Sequence, residues 1–188
     1  MKWYPYGHDF GNAEIGGVTV INGKTVSLSI PTAFAKVDIV AMRNLGVNVD
    51  QSNVHVMQFL DEEAAYAIGD LALQQAIEVY HGRGDIQRYS SRFSLRGLLT
   101  IAATLIPDPE FGLYVVTGLP AETYIKNAPL RNSIKEAIDG TYLFTLNDEK
   151  TPRRVTVEIA TVVMEGAGAL IAYNERPTNR MAESAVID

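Results

Sequence analysis

Near its start the chain reads His8-Asp9-Phe10-Gly11-Asn12-Ala13-Glu14-Ile15-Gly16-Gly17-Val18, a carboxylate and a glycine turn between two strand-like segments. Glycine adopts positive φ and lets an anion approach backbone N–H groups, so such a turn can bind phosphate. The aspartate in the turn can hold a hydrated divalent cation. An ordinary β-hairpin with an Asx turn also explains these residues, and taken alone they favour it. The choice between the two interpretations depends on the rest of the chain.

The composition predicts a soluble, cytoplasmic protein with a substantial core. The chain has 188 residues and is 47% hydrophobic, which suits one large domain or a lobe with a smaller insert. Lys and Arg total 16 against 22 Asp and Glu, a net charge of −6, which disfavours direct binding to nucleic acid. The absence of cysteine fits a reducing compartment. No apolar run approaches the ~18 residues of a membrane span, and no leader is recognisable.

The order of predicted elements indicates an α/β fold. Strands are predicted at about 14–20 and 25–30, with the turn signal Asn22-Gly23 between them, so that a three-stranded meander ends at Pro31. Residues 35–87 are predicted to form a small insert. Apolar patterns predict further strands and helices, namely strands at 54–59, 64–69, 112–118, 141–146 and 154–163 and helices at 94–106, 119–124 and 130–138. The run at 112–118 is typical of a strand buried on both faces, at the centre of a sheet.

Two later carboxylates follow apolar segments. Glu165 comes after the strand predicted at 154–163, and Asp188 comes after Ala185-Val186-Ile187. A buried strand of three apolar residues leading to Asp188 can deliver that carboxylate to a site. A solvated glutamate at a helix start and a frayed chain terminus explain the same residues. The sequence contains no Walker A motif and no complete dinucleotide-binding glycine pattern, which sets those nucleotide-binding classes aside.

Taken together, these features resemble the first lobe of the actin-like ATPases, particularly plasmid-segregation actins of the ParM/StbA type. This group belongs with actin, sugar kinases and heat-shock chaperones. The matching pieces are, in chain order, Asp9-Phe10-Gly11-Asn12, Ile30-Pro31-Thr32-Ala33, Tyr66-Ala67-Ile68-Gly69-Asp70-Leu71-Ala72, Val115-Val116-Thr117-Gly118-Leu119-Pro120 and Val163-Met164-Glu165-Gly166. The resemblance implies a ribonuclease H-like actin fold. Its first lobe would have a mixed five-stranded sheet at 1–34 and 88–188, with a small inserted subdomain at 35–87.

The resemblance also implies a role for each site residue. Asp9 would order Mg²⁺ and its waters, and the run Phe10-Gly11-Asn12 would contact the phosphates of ATP. Glu165 would position the attacking water as the catalytic residue. Asp188 would open the second phosphate loop and share the metal through waters. ATP hydrolysis needs in-line water placement and charge neutralisation, which these residue types can supply.

Two departures from the family pattern limit this expectation. Many members carry a lysine shortly after the first aspartate, whereas this chain has Glu14 and Gly16 there. The chain stops at Asp188, so the second lobe with the adenosine pocket would lie outside it. We therefore expect either an expressed fragment or a truncated gene product, and favour a fragment, itself inactive, of a protein with both lobes.

The function implied for the whole protein is ATP-dependent filament formation for the segregation of plasmids or other DNA. The implied partners are further copies of the protein and an adaptor protein bound to DNA, without direct nucleic-acid binding and without a membrane. Two alternatives stay open, a non-filamentous chaperone- or kinase-type member of the superfamily and a catalytically inactive interaction domain.

Overall fold

The structure, a computed structural model, describes residues 1–44, 55–75, 78–82, 85–147 and 149–167. Asp188 lies outside these ranges, so its expected place at the site stays a prediction. Within the ranges given, no helix is long and apolar enough to cross a membrane.

The chain begins with an antiparallel meander of three strands, β1 (Lys2–Asp9), β2 (Glu14–Ile21) and β3 (Lys24–Pro31). The turn between β2 and β3 has φ values of 51° at Asn22 and 76° at Gly23. These left-handed conformations are the ones that an Asn-Gly hairpin turn requires. The predicted meander and its end at the proline are therefore confirmed.

The remainder of the chain contains both helices and strands. The further elements are β4 (Phe34–Val37), α1 (Ile39–Asn44), β5 (His55–Phe59), β6 (Ala65–Ile68), α2 (Asp70–Gln75), a 3-10 helix (Ile86–Ser90), α3 (Arg92–Leu105), β7 (Glu110–Leu119), α4 (Ala121–Lys126), α5 (Ala128–Ile138), β8 (Gly140–Leu146) and β9 (Arg153–Met164). The hydroxyl of Ser91 accepts from the N–H of Ser94 and caps α3. The helix predicted at 94–106 is confirmed with a slightly earlier start.

All the described strands join one mixed sheet of nine, in the order β3-β2-β1-β7-β9-β8-β5-β6-β4. The prediction of a five-stranded sheet is therefore wrong. Outside the predicted insert the sheet has six strands, one more than predicted. The antiparallel pairing of β8 with β5, in which Leu146 lies opposite Met57, then continues the sheet into β5, β6 and β4. The sequence of either segment alone does not indicate which distant strand it pairs with. The division at 34/35 and 87/88 stays a prediction.

One face of the sheet carries the main core. Buried side chains of α3 and α5, such as Leu98 and Ile134, share a single hydrophobic cluster with Leu113 and Val115 of β7. On the opposite face Tyr114 and Val116 are 45% and 40% exposed. The prediction that β7 is buried on both faces is wrong, because both helices pack on the same side. The central position goes to the neighbouring strand β9.

Strand direction determines where the site lies. β7 runs parallel to both β1 and β9, so the carboxyl ends of these strands meet at one edge of the sheet. Ligands of α/β proteins bind outside such carboxyl ends. The stretch at 8–18 leaves β1 at this edge.

Candidate functional site

A cleft of about 1150 Å³ opens at the carboxyl ends of β1, β7 and β9. It brings together predicted site residues from distant parts of the chain, because Asp9, Gly11, Asn12 and Glu165 all border it. The remaining border comes from residues 7–8, 13–14, 16–18, 27–29, 88, 116–118, 120–121, 163–164 and 166. The edge of the sheet thus collects the glycine turn and the later glutamate in one place.

The glycine turn is held from one side by Thr32. The Thr32 hydroxyl donates to the carbonyl of Gly11 over 2.8 Å, and the Thr32 N–H donates to the carbonyl of Ala13 over 2.8 Å. A Cβ at Gly11 would lie 2.1 Å from the carbonyl oxygen of Glu14. The turn is therefore closed so tightly that only glycine fits at this position.

Phe10 anchors the turn in the core. Its side chain is 3% exposed, and its ring centroid lies 4.4 Å from the ring of His8 and 6.3 Å from that of Tyr89. Phe10 is absent from the described border of the cleft. Any contact of this residue with a nucleotide would therefore involve its backbone.

Glu165 lies directly beyond the end of β9 and against β7. Its backbone N–H donates to the carbonyl of Leu119 over 2.8 Å. A Cβ added at Gly118 would lie 3.1 Å from Cγ of Glu165. The small residue Gly118 near the end of β7 thus makes room for the glutamate side chain beside the cleft.

Behind the glycine turn lies a buried group of polar side chains. His8 lies opposite Thr117 in the ladder between β1 and β7. Neither ring nitrogen of His8, nor Oγ1 of Thr117, nor Oη of Tyr6 has a hydrogen-bond partner in the part of the chain that the structure describes. Burial lowers the pKa of His8 to about 3 and raises the pKa of Tyr6. At neutral pH both side chains are therefore uncharged.

The cleft is bordered by acidic residues and one basic residue among the described positions. The acids are Asp9, Glu14 and Glu165, and the hydroxyl of Ser29 donates to Glu14 Oε2 over 2.7 Å. The basic residue is Arg88 of the 3-10 helix. Sequence reasoning missed this arginine, because it lies between the predicted insert at 35–87 and the helix predicted at 94–106 and belongs to no motif. Its importance follows only from where the fold places it.

The residues present fit a nucleotide with magnesium. Across the described ranges, no group of three or more His, Asp or Glu side chains could hold a metal ion without further ligands. Magnesium at nucleotide sites commonly takes one or two carboxylates and completes its shell with water and phosphate oxygens. Asp9 at the cleft edge suits that arrangement, and the tight turn at Gly11 suits an anion close to the backbone.

Comparison with known proteins gives a family and a set of similar folds. The sequence matches the family "Actin like proteins N terminal domain" over residues 7–168. The structure is similar to apo psk41 ParM, with a TM-score of 0.73 and 14% identity over 94% of this chain and 54% of that one. Apo ParM of Bacillus thuringiensis has a TM-score of 0.71 and 20% identity, over 92% of this chain and 48% of that one. A 15-stranded ParM filament from Clostridium botulinum has a TM-score of 0.68 and 23% identity, over 93% of this chain and 51% of that one. No curated protein matches.

The chain spans about half the length of these solved structures. At such identities the structures show a shared fold, and the expected actin-like first lobe is confirmed in that sense. The family match extends from the glycine turn at the end of β1 to the residues just after Glu165. The chain therefore belongs to the actin-like proteins, as an N-terminal domain of that family.

Proposed function

We propose that this chain is the N-terminal lobe of an ATP-hydrolysing actin homologue that forms filaments and segregates plasmid DNA. The observation that carries the proposal is the meeting of the Asp9-Phe10-Gly11-Asn12 turn with Glu165 in one cleft at the ends of three neighbouring parallel strands. A backbone turn for phosphate and a carboxylate for water are what phosphoryl transfer to water needs.

Each residue has a distinct task in this proposal. The backbone at Gly11 and the side chain of Asn12 offer N–H donors to phosphate oxygens, and Asp9 holds the waters of the metal. Magnesium, when bound, neutralises charge on the phosphates. Glu165 accepts a hydrogen bond from the attacking water and orients it. Asp188 completes the metal side of the site in this proposal.

The assembly is proposed from the relatives. Two of the similar structures are filaments, a ParM from Clostridium botulinum and AlfA from a Bacillus subtilis plasmid. We extend filament formation to this protein. In the proposal an adaptor protein, and not the filament itself, contacts the DNA. The net charge of −6 supports an adaptor, because an acidic surface repels DNA phosphates. A cytoplasmic location belongs to the same proposal.

Pelleting of the full-length protein tests this function. With ATP and magnesium it should sediment as filaments and release phosphate, and without nucleotide it should stay in the supernatant. Nucleotide binding by a strictly monomeric protein would favour the chaperone- or kinase-type alternative. Failure to bind ATP at all would contradict the proposal and favour an inactive interaction domain. The loss of phosphate binding would then follow from Glu14 and Gly16, which stand where many members of the family carry a lysine.

A further inference from the structure

Arg88 is a buried cation that has no anionic partner among the residues that the structure describes. The residue is 7% exposed. Its Nη2 donates to Oη of Tyr89 over 2.7 Å, and its guanidinium carbon lies 4.5 Å from the centroid of that ring. Its Nη1 is buried and has no hydrogen-bond partner among the described side chains and backbone. None of these contacts carries a negative charge.

The nearby carboxylate of Asp85 is already engaged elsewhere. Its Oδ1 accepts from the backbone N–H of Gln87 over 2.8 Å and caps the 3-10 helix. Its other oxygen lies 3.5 Å from Oη of Tyr80. No ion pair joins Asp85 to Arg88 in the described part of the chain, so this nearby carboxylate does not neutralise the guanidinium.

The position of Arg88 explains why such a charge is kept. Arg88 and Asn12 both border the main cleft, and both also border an adjoining cavity of about 260 Å³. The rings of Phe10 and Tyr89 are in edge contact at 6.3 Å, so the 3-10 helix packs directly behind the glycine turn. The stretch at 8–18 contains no Lys or Arg. The 3-10 helix therefore brings positive charge to a turn that has none of its own.

A buried guanidinium without a counterion is strongly unfavourable unless an anion occupies the site. Arginine also binds phosphate through paired N–H groups in a fixed planar fork. We propose that Arg88 binds the β- or γ-phosphate of the nucleotide and supplies the cation that the glycine turn lacks. This inference rests on the proposed function, since it requires a nucleotide in the cleft.

Affinity measurements on the full-length protein test the inference. The variants are Arg88→Gln, Arg88→Lys and the control Arg131→Gln. Arg131 has the same stacking, with its guanidinium carbon 4.5 Å from the ring of Tyr124, but it does not border the cleft as described. Each protein is titrated with AMP and with a non-hydrolysable ATP analogue plus magnesium, and circular dichroism checks folding.

We expect Arg88→Gln to weaken binding of the ATP analogue by about tenfold or more, since a charge-assisted pair of hydrogen bonds is lost. AMP binding should not change, because AMP lacks the β- and γ-phosphates. Arg88→Lys should recover part of the loss, and Arg131→Gln should match the unmodified protein.

Two results would overturn this inference alone. The first is an unchanged affinity of Arg88→Gln for the ATP analogue. The second is an equal loss of affinity for the analogue and for AMP, since that result would mean that Arg88 has a purely structural role. If the unmodified protein binds neither nucleotide, both the inference and the proposed function are wrong.

Discussion

The backbone N–H of Glu165 donates to the carbonyl of Leu119 over 2.8 Å, which ties the end of β9 to the end of β7. The bond fixes the main chain of the glutamate beside the last residues of β7, 117–119. The same segment borders the cleft together with Asp9 and Gly11. The position of the proposed catalytic carboxylate is thus set by backbone pairing in the sheet.

Gly118 should control how Glu165 is placed. An alanine Cβ would lie 3.1 Å from Cγ of Glu165, so the glutamate side chain must shift by a few tenths of an ångström. We expect Gly118→Ala in the full-length protein to slow phosphate release by about tenfold with little change in nucleotide affinity. In a Glu165→Ala background the same substitution should have no further effect. An additive loss in the double variant would show that Gly118 acts independently of the glutamate.

Gly11 should be essential for the shape of the turn. A Cβ at this position would lie 2.1 Å from the carbonyl oxygen of Glu14, a separation that only a rearranged backbone can relieve. Gly11→Ala should therefore abolish measurable ATP binding while leaving a folded sheet.

Gly23→Ala is the matched control for this prediction. Gly23 has a φ of 76° but an open surrounding, with nothing within 4 Å of its added Cβ. Alanine there should lower the free energy of unfolding by about 1 kcal/mol through backbone strain. It should leave nucleotide affinity intact. Equal affinities for the two variants would contradict the assignment of residues 9–12 as the phosphate turn.

The buried His8 should make stability depend on pH. Its pKa is about 3 in the folded chain against a usual value of 6.5, because burial disfavours the charged ring. Between these values the unfolded chain binds a proton that the folded chain does not, so stability is full above pH 6.5 and falls below it. The expected loss is about 1.4 kcal/mol per pH unit.

Urea unfolding at a series of pH values from neutral to mildly acidic measures this effect. His8→Gln, which cannot titrate, should give a flatter profile than the unmodified chain. Burial also lowers the pKa of His55, and that contribution is common to both proteins. Parallel profiles would mean that His8 becomes protonated without unfolding the surrounding core.

Local sequence patterns were sufficient for much of this fold. Asn22-Gly23 predicts its hairpin because the turn type needs positive φ at both positions. The apolar spacing after Ser94 predicts α3, and in the structure the helix is buried continuously over residues 94–103. These features depend on residues close together in the chain, so a short window of sequence contains the cause.

Other features depend on distant pairing. Nothing near Met57 or Leu146 indicates that β5 and β8 are neighbours, yet this pairing joins β5, β6 and β4 to the six strands of the remaining chain. The apolar run around Tyr114 and Val116 suggested burial on both faces, but burial depends on where α3 and α5 pack.

The candidate site shows the same limit. Asp9 and Glu165 were found through a family resemblance that quotes their neighbours in sequence. Arg88 belongs to no motif, and only the packing of Tyr89 against Phe10 places it beside the turn. The role of Arg88 as the cation of the cleft can therefore be recognised only from the structure.

Phosphate release by the full-length protein with ATP and magnesium, compared between the unmodified form and Glu165→Ala, tests the central claim most directly. Glu158, exposed on the same strand, supplies the matched control Glu158→Ala. Loss of the water-positioning carboxylate should slow release by about a hundredfold or more, with ATP affinity retained and the control unaffected. An unchanged rate in Glu165→Ala, or equal slowing in both variants, would contradict the account.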